Sequence, residues 1–201
     1  MPRDLPPAPA HMMATKGEEN RTRIVDAASE LFYKQGFANT SFADIARHAG
    51  VPKGNFYFYF PSKNDILAAV IEARVERLRN SLAQWETAFD DPRDRLKRLA
   101  DMPKNEFPLI MEFGCPMGTL TAELGKQQHE LCDSARQMFT LLLNWAEKQF
   151  RLVGGNKKAA RALARQLMVR LQGASVMAQA YQDRNWILDE VEQTKSWIDA
   201  V

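Results

Sequence analysis

Two cysteines in 201 residues, Cys115 and Cys132, are too few for a disulfide scaffold, and a reducing compartment is the expectation. No run of about 18 apolar residues marks a membrane helix. The N-terminus lacks a charged-then-apolar signal pattern. A cytoplasmic protein without a membrane partner is therefore expected. Histidine is scarce too: His11, His48 and His129 form no convergent set with a nucleophile or with carboxylates, which argues against an enzyme. His129 and Cys132, three apart, lack with Cys115 the paired-ligand spacing of a zinc site, so neither metal nor cofactor is expected. Gly154-Gly155 is not followed by Lys-Ser/Thr and reads as a helix stop, not a phosphate loop. Nor does one sign of charge dominate. With 27 Lys+Arg against 25 Asp+Glu the net charge is +2, so any affinity for nucleic acid must come from a local patch.

What is present is 45% hydrophobic residues, ample for a packed core, in patterns of helical period. Residues 1–17 carry Pro2, Pro6, Pro7 and Pro9 without apolar periodicity and read as a disordered tail. Arg3 and Lys16 are too few for a basic arm. Glu18 to Gln35 has Ile24, Ala27, Ala28, Leu31 and Phe32 on one helical face, and Gly36 stops it. Ser41 with Asp44 forms a capping-box variant opening a second helix. Gly50 turns the chain, and Pro52 opens a third, short helix to about Phe58. Ser62 with Asp65 starts a long fourth helix running to about Phe89. Between Arg47 and Lys63 the bases are Arg47, Lys53 and Lys63, with no acid among them. This stretch, Phe37 to Asp65, reads as a DNA-binding head. Lys53, Gly54 and Asn55 sit at the N-terminus of the third helix, where side chains reach base edges. Tyr57, Tyr59 and Lys63, with the Thr40 and Ser41 hydroxyls, suit phosphate contacts. Phe56 and Phe60 read as core. The rival reading of the stretch is an aromatic core cluster beneath a solvated lysine face, within a helical interaction module.

The run IVDAASELFYKQGF followed by TSFADIARHAGVPKGNFYFYFPSKNDIL resembles the DNA-binding domain of the tetracycline-repressor (TetR) family over about 45 consecutive residues. The resemblance implies that the positions of Lys53, Gly54, Asn55, Tyr57, Tyr59 and Lys63 meet DNA. Phe58 departs from it, since a polar aromatic often stands there. It further implies an all-α, two-domain homodimer of about nine helices. Residues 18–64 would be the helix-turn-helix domain and 65–201 the effector-binding and dimerisation domain.

In the second part, Asp91-Pro92 starts a helix that Pro103 and Pro108 interrupt before Phe113. Such kinks open space between helices. Trp85, Phe107, Met111, Phe113, Cys115, Trp145 and Met177 are the expected lining of a pocket for a small-molecule effector, although each could equally be plain core. Cys115 precedes a helix start at Pro116, a setting that favours thiolate. The Gly-Cys-Pro turn resembles that of family members which sense oxidants or electrophiles, so a thiol-switched repressor is the alternative to a ligand-released one. Asn156 caps a helix to about Gln182, and a last helix follows. By the resemblance the last two helices pair two subunits, with Leu167, Leu171, Ala174, Ala178, Ile187, Val191 and Ile198 as the expected dimer interface. The expected partners are thus a double-stranded DNA operator, a small-molecule effector and a second copy of the chain.

Overall fold

A computed structural model of the chain describes residues 16–127 and 129–201. The first fifteen positions of the expected tail lie outside the described residues, as do the side chains of Lys53, Asn55 and His129. Eleven helical segments are described: α1 (Lys16–Gln35), α2 (Phe42–Ala49), α3 (Lys53–Tyr59), α4 (Lys63–Ala88), α5 (Pro92–Ala100), α6 (Met102–Asn105), α7 (Phe107–Phe113), α8 (Pro116–Gln127), α9 (His129–Val153), α10 (Lys157–Tyr181) and α11 (Asn185–Ala200). No strand is found among the described residues. The count exceeds the expected nine because the proline-broken stretch resolves into α5, α6 and α7. Pro103 and Pro108 each stand in the first turn of a new segment, where a missing N–H is harmless.

Local chemistry sets the head's boundaries. Both capping boxes form: the Ser41 hydroxyl accepts from Asp44 N–H, and the Asp44 carboxylate accepts from Ser41 N–H. Ser62 and Asp65 do the same at the start of α4. The turn between α2 and α3 needs Gly50, whose φ is +61° and whose added Cβ would stand 2.7 Å from an Arg23 nitrogen. That same Arg23 guanidinium donates to the carbonyls of Ala49 (2.5 Å) and Gly50 (3.2 Å), pinning the turn to α1. The head's core joins Ile24, Ala28 and Phe32 of α1 to Ile45 of α2, Phe56 of α3, and Ile66 and Val70 of α4.

This core does not stop at the head. It continues through Val75 of α4 into Leu120 and Leu124 of α8 and Met138 of α9. Helix α4, 26 residues and about 39 Å long at 1.5 Å per residue, therefore runs through both parts as one rod. A second core packs Leu82 of α4 with Leu96 and Leu99 of α5, Leu142 and Phe150 of α9, Leu167 and Leu171 of α10, and Ile198 of α11. A third, smaller one joins Ile110 to Ala174, Ala178, Ile187 and Val191.

The seven residues expected at a dimer interface all lie in these last two cores and are buried within the single chain. The expectation is corrected accordingly: α10 and α11 spend their main apolar stripes on packing inside the subunit. What they turn outward is a different face, with Val169 71%, Val176 61% and Trp186 43% exposed. A groove there is lined by Gly173, Met177 and Glu190 among others.

Candidate DNA-reading head and effector cavity

The head presents α3 outward at one end of the molecule. A Cβ added at Gly54 would meet nothing within 4 Å, so the backbone is open to close approach. Tyr57 is 54% exposed, its ring tilted against Phe42 at 5.2 Å between centroids. Phe58, where the resemblance leads one to expect a polar aromatic, is 88% exposed. Phe56 and Phe60 are buried, as expected of core. The Tyr59 hydroxyl accepts from the Asn20 side chain at 3.2 Å, which holds that ring to α1.

Two expected phosphate contacts are otherwise engaged. Thr40 is buried and its hydroxyl donates to the Gly36 carbonyl at 2.7 Å, closing the α1–α2 turn. The Lys63 ammonium donates to the carbonyls of Phe37 (2.8 Å), Ala38 (3.3 Å) and Thr40 (3.1 Å) and sits 4.4 Å from the centre of the Phe37 ring. An ammonium has three donors, and in this arrangement all three are used. Both residues shape the loop that offers backbone N–H groups near α2; they do not themselves extend to a phosphate. Ser41 is exposed, its hydroxyl donating to Asp44 at 2.5 Å.

Within the body lies a cavity of about 460 Å³. Of the seven residues expected to line it, only Cys115 does. Trp85 and Trp145 pack edge-on against one another at 5.9 Å in the second core, and Trp145 Nε1 donates to Glu86 at 2.8 Å. Phe107 and Met111 lean on the third core. Phe113 packs edge-on against Tyr33 at 5.5 Å, and Met177 lies in the outer groove of α10. The actual walls come from more distant helices: Leu78 of α4, Leu99 of α5, Met102 of α6, Ile110 of α7, Met138 and Leu142 of α9, and Met168 and Leu171 of α10. The proline-broken segments do contribute, as kinked helices should, but through Met102, Pro103, Glu106 and Ile110.

The polar end of this cavity was missed in the sequence, and it faces the head. Ser29 and Tyr33 of α1 line it together with Arg74 of α4. Arg74 Nε donates to the Ser29 hydroxyl (3.1 Å), one Nη to the Ser29 carbonyl (2.9 Å) and the other to the Pro116 carbonyl (3.2 Å). The Tyr33 hydroxyl donates to the Gly114 carbonyl at 2.7 Å, and burial pushes its pKa up, which keeps it a neutral donor. Gly114 itself has φ +80°, and a Cβ there would stand 2.6 Å from Thr119. Just beyond, the Glu123 carboxylate of α8 accepts the backbone N–H groups of Phe37 (2.9 Å) and Ala38 (2.7 Å). Three hydrogen-bonded ties thus cross from the body to α1 and the turn after it. The one signal available in sequence was an arginine interrupting the apolar stripe of α4.

Among the described residues no group of three or more His, Cys, Asp or Glu could hold a metal ion, and no helix is long and apolar enough to cross a membrane.

A helix-turn-helix head carried on a cavity-bearing helical body is the build of a transcriptional regulator. The comparisons with known proteins agree. A profile described as bacterial regulatory proteins of the tetR family matches residues 24–70, and one described as the C-terminal domain of LmrA/YxaF-like transcriptional regulators matches residues 75–193. The chain belongs to the TetR family. It is 28% identical over 184 residues to an HTH-type transcriptional regulator from the lacX 3′ region of Lactococcus lactis subsp. lactis, covering 90% of this chain and 94% of that one. It is 25% identical to the HTH-type transcriptional regulator LmrA of Bacillus subtilis, over 80% of this chain and 86% of that one. A TetR transcriptional regulator from Legionella pneumophila shares the fold at a TM-score of 0.78 and 20% identity, with 94% of this chain and 98% of that one covered.

Proposed function

We propose that this protein is a homodimeric repressor that holds a palindromic operator through two heads and releases it when a small molecule fills the cavity. The observation that carries the reading is the cavity's position. Its wall includes Ser29 and Tyr33 of the head's own first helix, alongside Arg74 of the α4 rod. A ligand there touches the element whose orientation sets the head. If it binds better to a state whose heads are wrongly spaced, operator affinity falls by the same differential. One short reading helix makes few base contacts, so two heads on half-sites about a helical turn or a multiple apart are needed for tight binding. Lys53, Gly54 and Asn55 are the proposed base readers, and Tyr57, Tyr59 and Ser41 the proposed phosphate side. The outward face of α10 and α11, with Val169, Val176 and Trp186, is the proposed pairing surface.

The test is a fluorescence-anisotropy titration of DNA from upstream of the protein's own gene, repeated across salt concentrations. The intact protein is expected to bind with a steep negative salt slope. Replacing Lys53 and Tyr57 together by Ala should abolish that binding while the fold survives. A protein that selects no sequence from a random DNA pool would overturn the reading in favour of a helical interaction module.

A further inference from the structure

The cavity's walls are apolar, but its charged groups are not balanced. They are Arg74 and Arg77 against Glu106: two guanidiniums and one carboxylate. Arg77 points mostly to solvent, near Asp26 at 3.9 Å. Glu106 lines the cavity too; burial raises the pKa of its carboxyl, against the opposite pull of the Arg74 charge. Arg74 is half-buried, and all three of its hydrogen bonds go to neutral oxygens of Ser29 and Pro116. A guanidinium has five N–H donors in a planar fork that matches a carboxylate or sulfonate edge. A carboxylate or sulfonate can take that fork through two parallel bonds and brings an opposite charge, neither of which a single neutral carbonyl supplies. An anion beside Arg74 therefore gains over the carbonyls now there, whereas a cation would meet two like charges.

We infer that the cavity takes an amphipathic organic anion, its charged group received by Arg74 and its apolar body lying along the leucine and methionine walls. The inference rests on the reading of this cavity as the effector site. A volume of about 460 Å³ is in the range of small-molecule sites, ~300–1,000 Å³. Because Arg74 also ties Ser29 to Pro116, an anion that draws the guanidinium inward loosens a bond between α1 and the start of α8.

The experiment uses the purified full chain and two fluorescent probes of one ring frame: 8-anilino-1-naphthalenesulfonate and the uncharged N-phenyl-1-naphthylamine. Affinities are measured for the native protein, Arg74→Gln and Gln172→Trp, which fills the cavity from α10. Arg74→Gln is expected to cut the preference for the sulfonate roughly tenfold to a hundredfold, the range for a hydrogen bond to a charged group, with the neutral probe unchanged within about twofold. Gln172→Trp is expected to weaken both probes. If Arg74→Gln does not fold, Arg74→Lys keeps the charge without the fork, and the preference should still fall several-fold. A preference unchanged by either Arg74 variant, or two probes weakened in parallel by Arg74→Gln, overturns the inference. If Gln172→Trp abolishes both probes while Arg74 proves irrelevant, the anion assignment fails and the effector site stands. If both probes bind Gln172→Trp undiminished, they lie elsewhere and the effector-site reading fails as well.

Discussion

Removing the carboxylate of Glu123 tests how the body holds the head. Its two oxygens accept the N–H groups of Phe37 and Ala38 at 2.9 and 2.7 Å, across 86 and 85 residues of sequence. A hydrogen bond to a charged group contributes about 1.5–3 kcal/mol net. The two are not equal here. The Ala38 N–H is exposed and would pass to water, whereas the Phe37 N–H is part-buried and would be poorly served. Glu123→Ala therefore costs about one such bond plus a fraction, offset by a few tenths of a kcal/mol of helix propensity in α8. The net is about 2 kcal/mol. In a chain of this size each kcal/mol shifts Tm by roughly 2–4 °C, so a fall of about 4–8 °C is expected at fixed protein concentration. Glu123→Gln keeps one acceptor and should fall less. Amide hydrogen exchange supplies the residue-level check: Phe37 should lose protection and Ile45, in the head's core, should not. A Glu123→Ala variant whose Tm moves by less than about 1 °C, or whose Phe37 amide stays protected, would refute the reasoning.

Gly54→Ala should raise thermal stability by about 0.5–1 kcal/mol, since a Cβ there meets nothing within 4 Å and alanine is the better helix former; anisotropy should nonetheless show weaker operator binding, because the added methyl stands where DNA must approach. Glu86 is hydrogen-bonded by Lys148, and also by Trp145 and Gln149, and its pKa is lowered chiefly by Lys148. A lowered carboxyl pKa adds stability that is full above the ordinary value of 4.5 and is lost as pH falls through the folded value. Glu86→Gln should thus cost roughly 0.5–1 kcal/mol in urea denaturation at pH 7, with the gap to the native protein closing below 4.5. Val169→Arg with Val176→Glu should leave the helical circular-dichroism signal intact and yield a monomer by sedimentation, whereas Leu167→Ala should cost about 2–5 kcal/mol of folding stability as a buried cavity mutation does.

Sequence legibility followed sequence locality. Both capping boxes, the Gly36 and Gly50 stops, the Pro92 start and the Asn156 cap involve residues within four positions of each other, and each is where the pattern puts it. The cavity is built otherwise. Its walls come from eight helices, and which side chains leave a void between helices is a property of their convergence. Large aromatics were a poor guide, because Trp85 and Trp145 fill space where helices meet closely. The dimer residues failed for a related reason. A buried apolar stripe on α10 cannot say whether the partner helix belongs to the same subunit. The face proposed for pairing is the opposite one, where Val169 and Val176 recur seven apart among exposed neighbours such as Arg165 and Gly173.

The three ties that cross to α1 are not equivalent with respect to the cavity. Arg74 and Tyr33 line it, so a ligand can compete for their hydrogen bonds directly. Glu123 does not line it and holds the turn after α1 from outside. On the proposed reading a ligand would loosen two ties while a third persists, with the Lys63 ammonium still fastening the Phe37–Thr40 loop to α4. Under that proposal α1 would tilt about its C-terminal end without detaching the head. In the proposed dimer the spacing between two heads would change while each head stays folded, because its own core of Ile24, Ile45, Phe56 and Ile66 contains none of the ties. It follows that Glu123→Ala should do more than lower Tm. With the outer latch gone, the same ligand concentration should displace more protein from DNA, and half-release should come at lower ligand. If Glu123→Ala lowers Tm but leaves the ligand-release curve where it was, the latch is structural only, and the signal reaches the head through α4 alone.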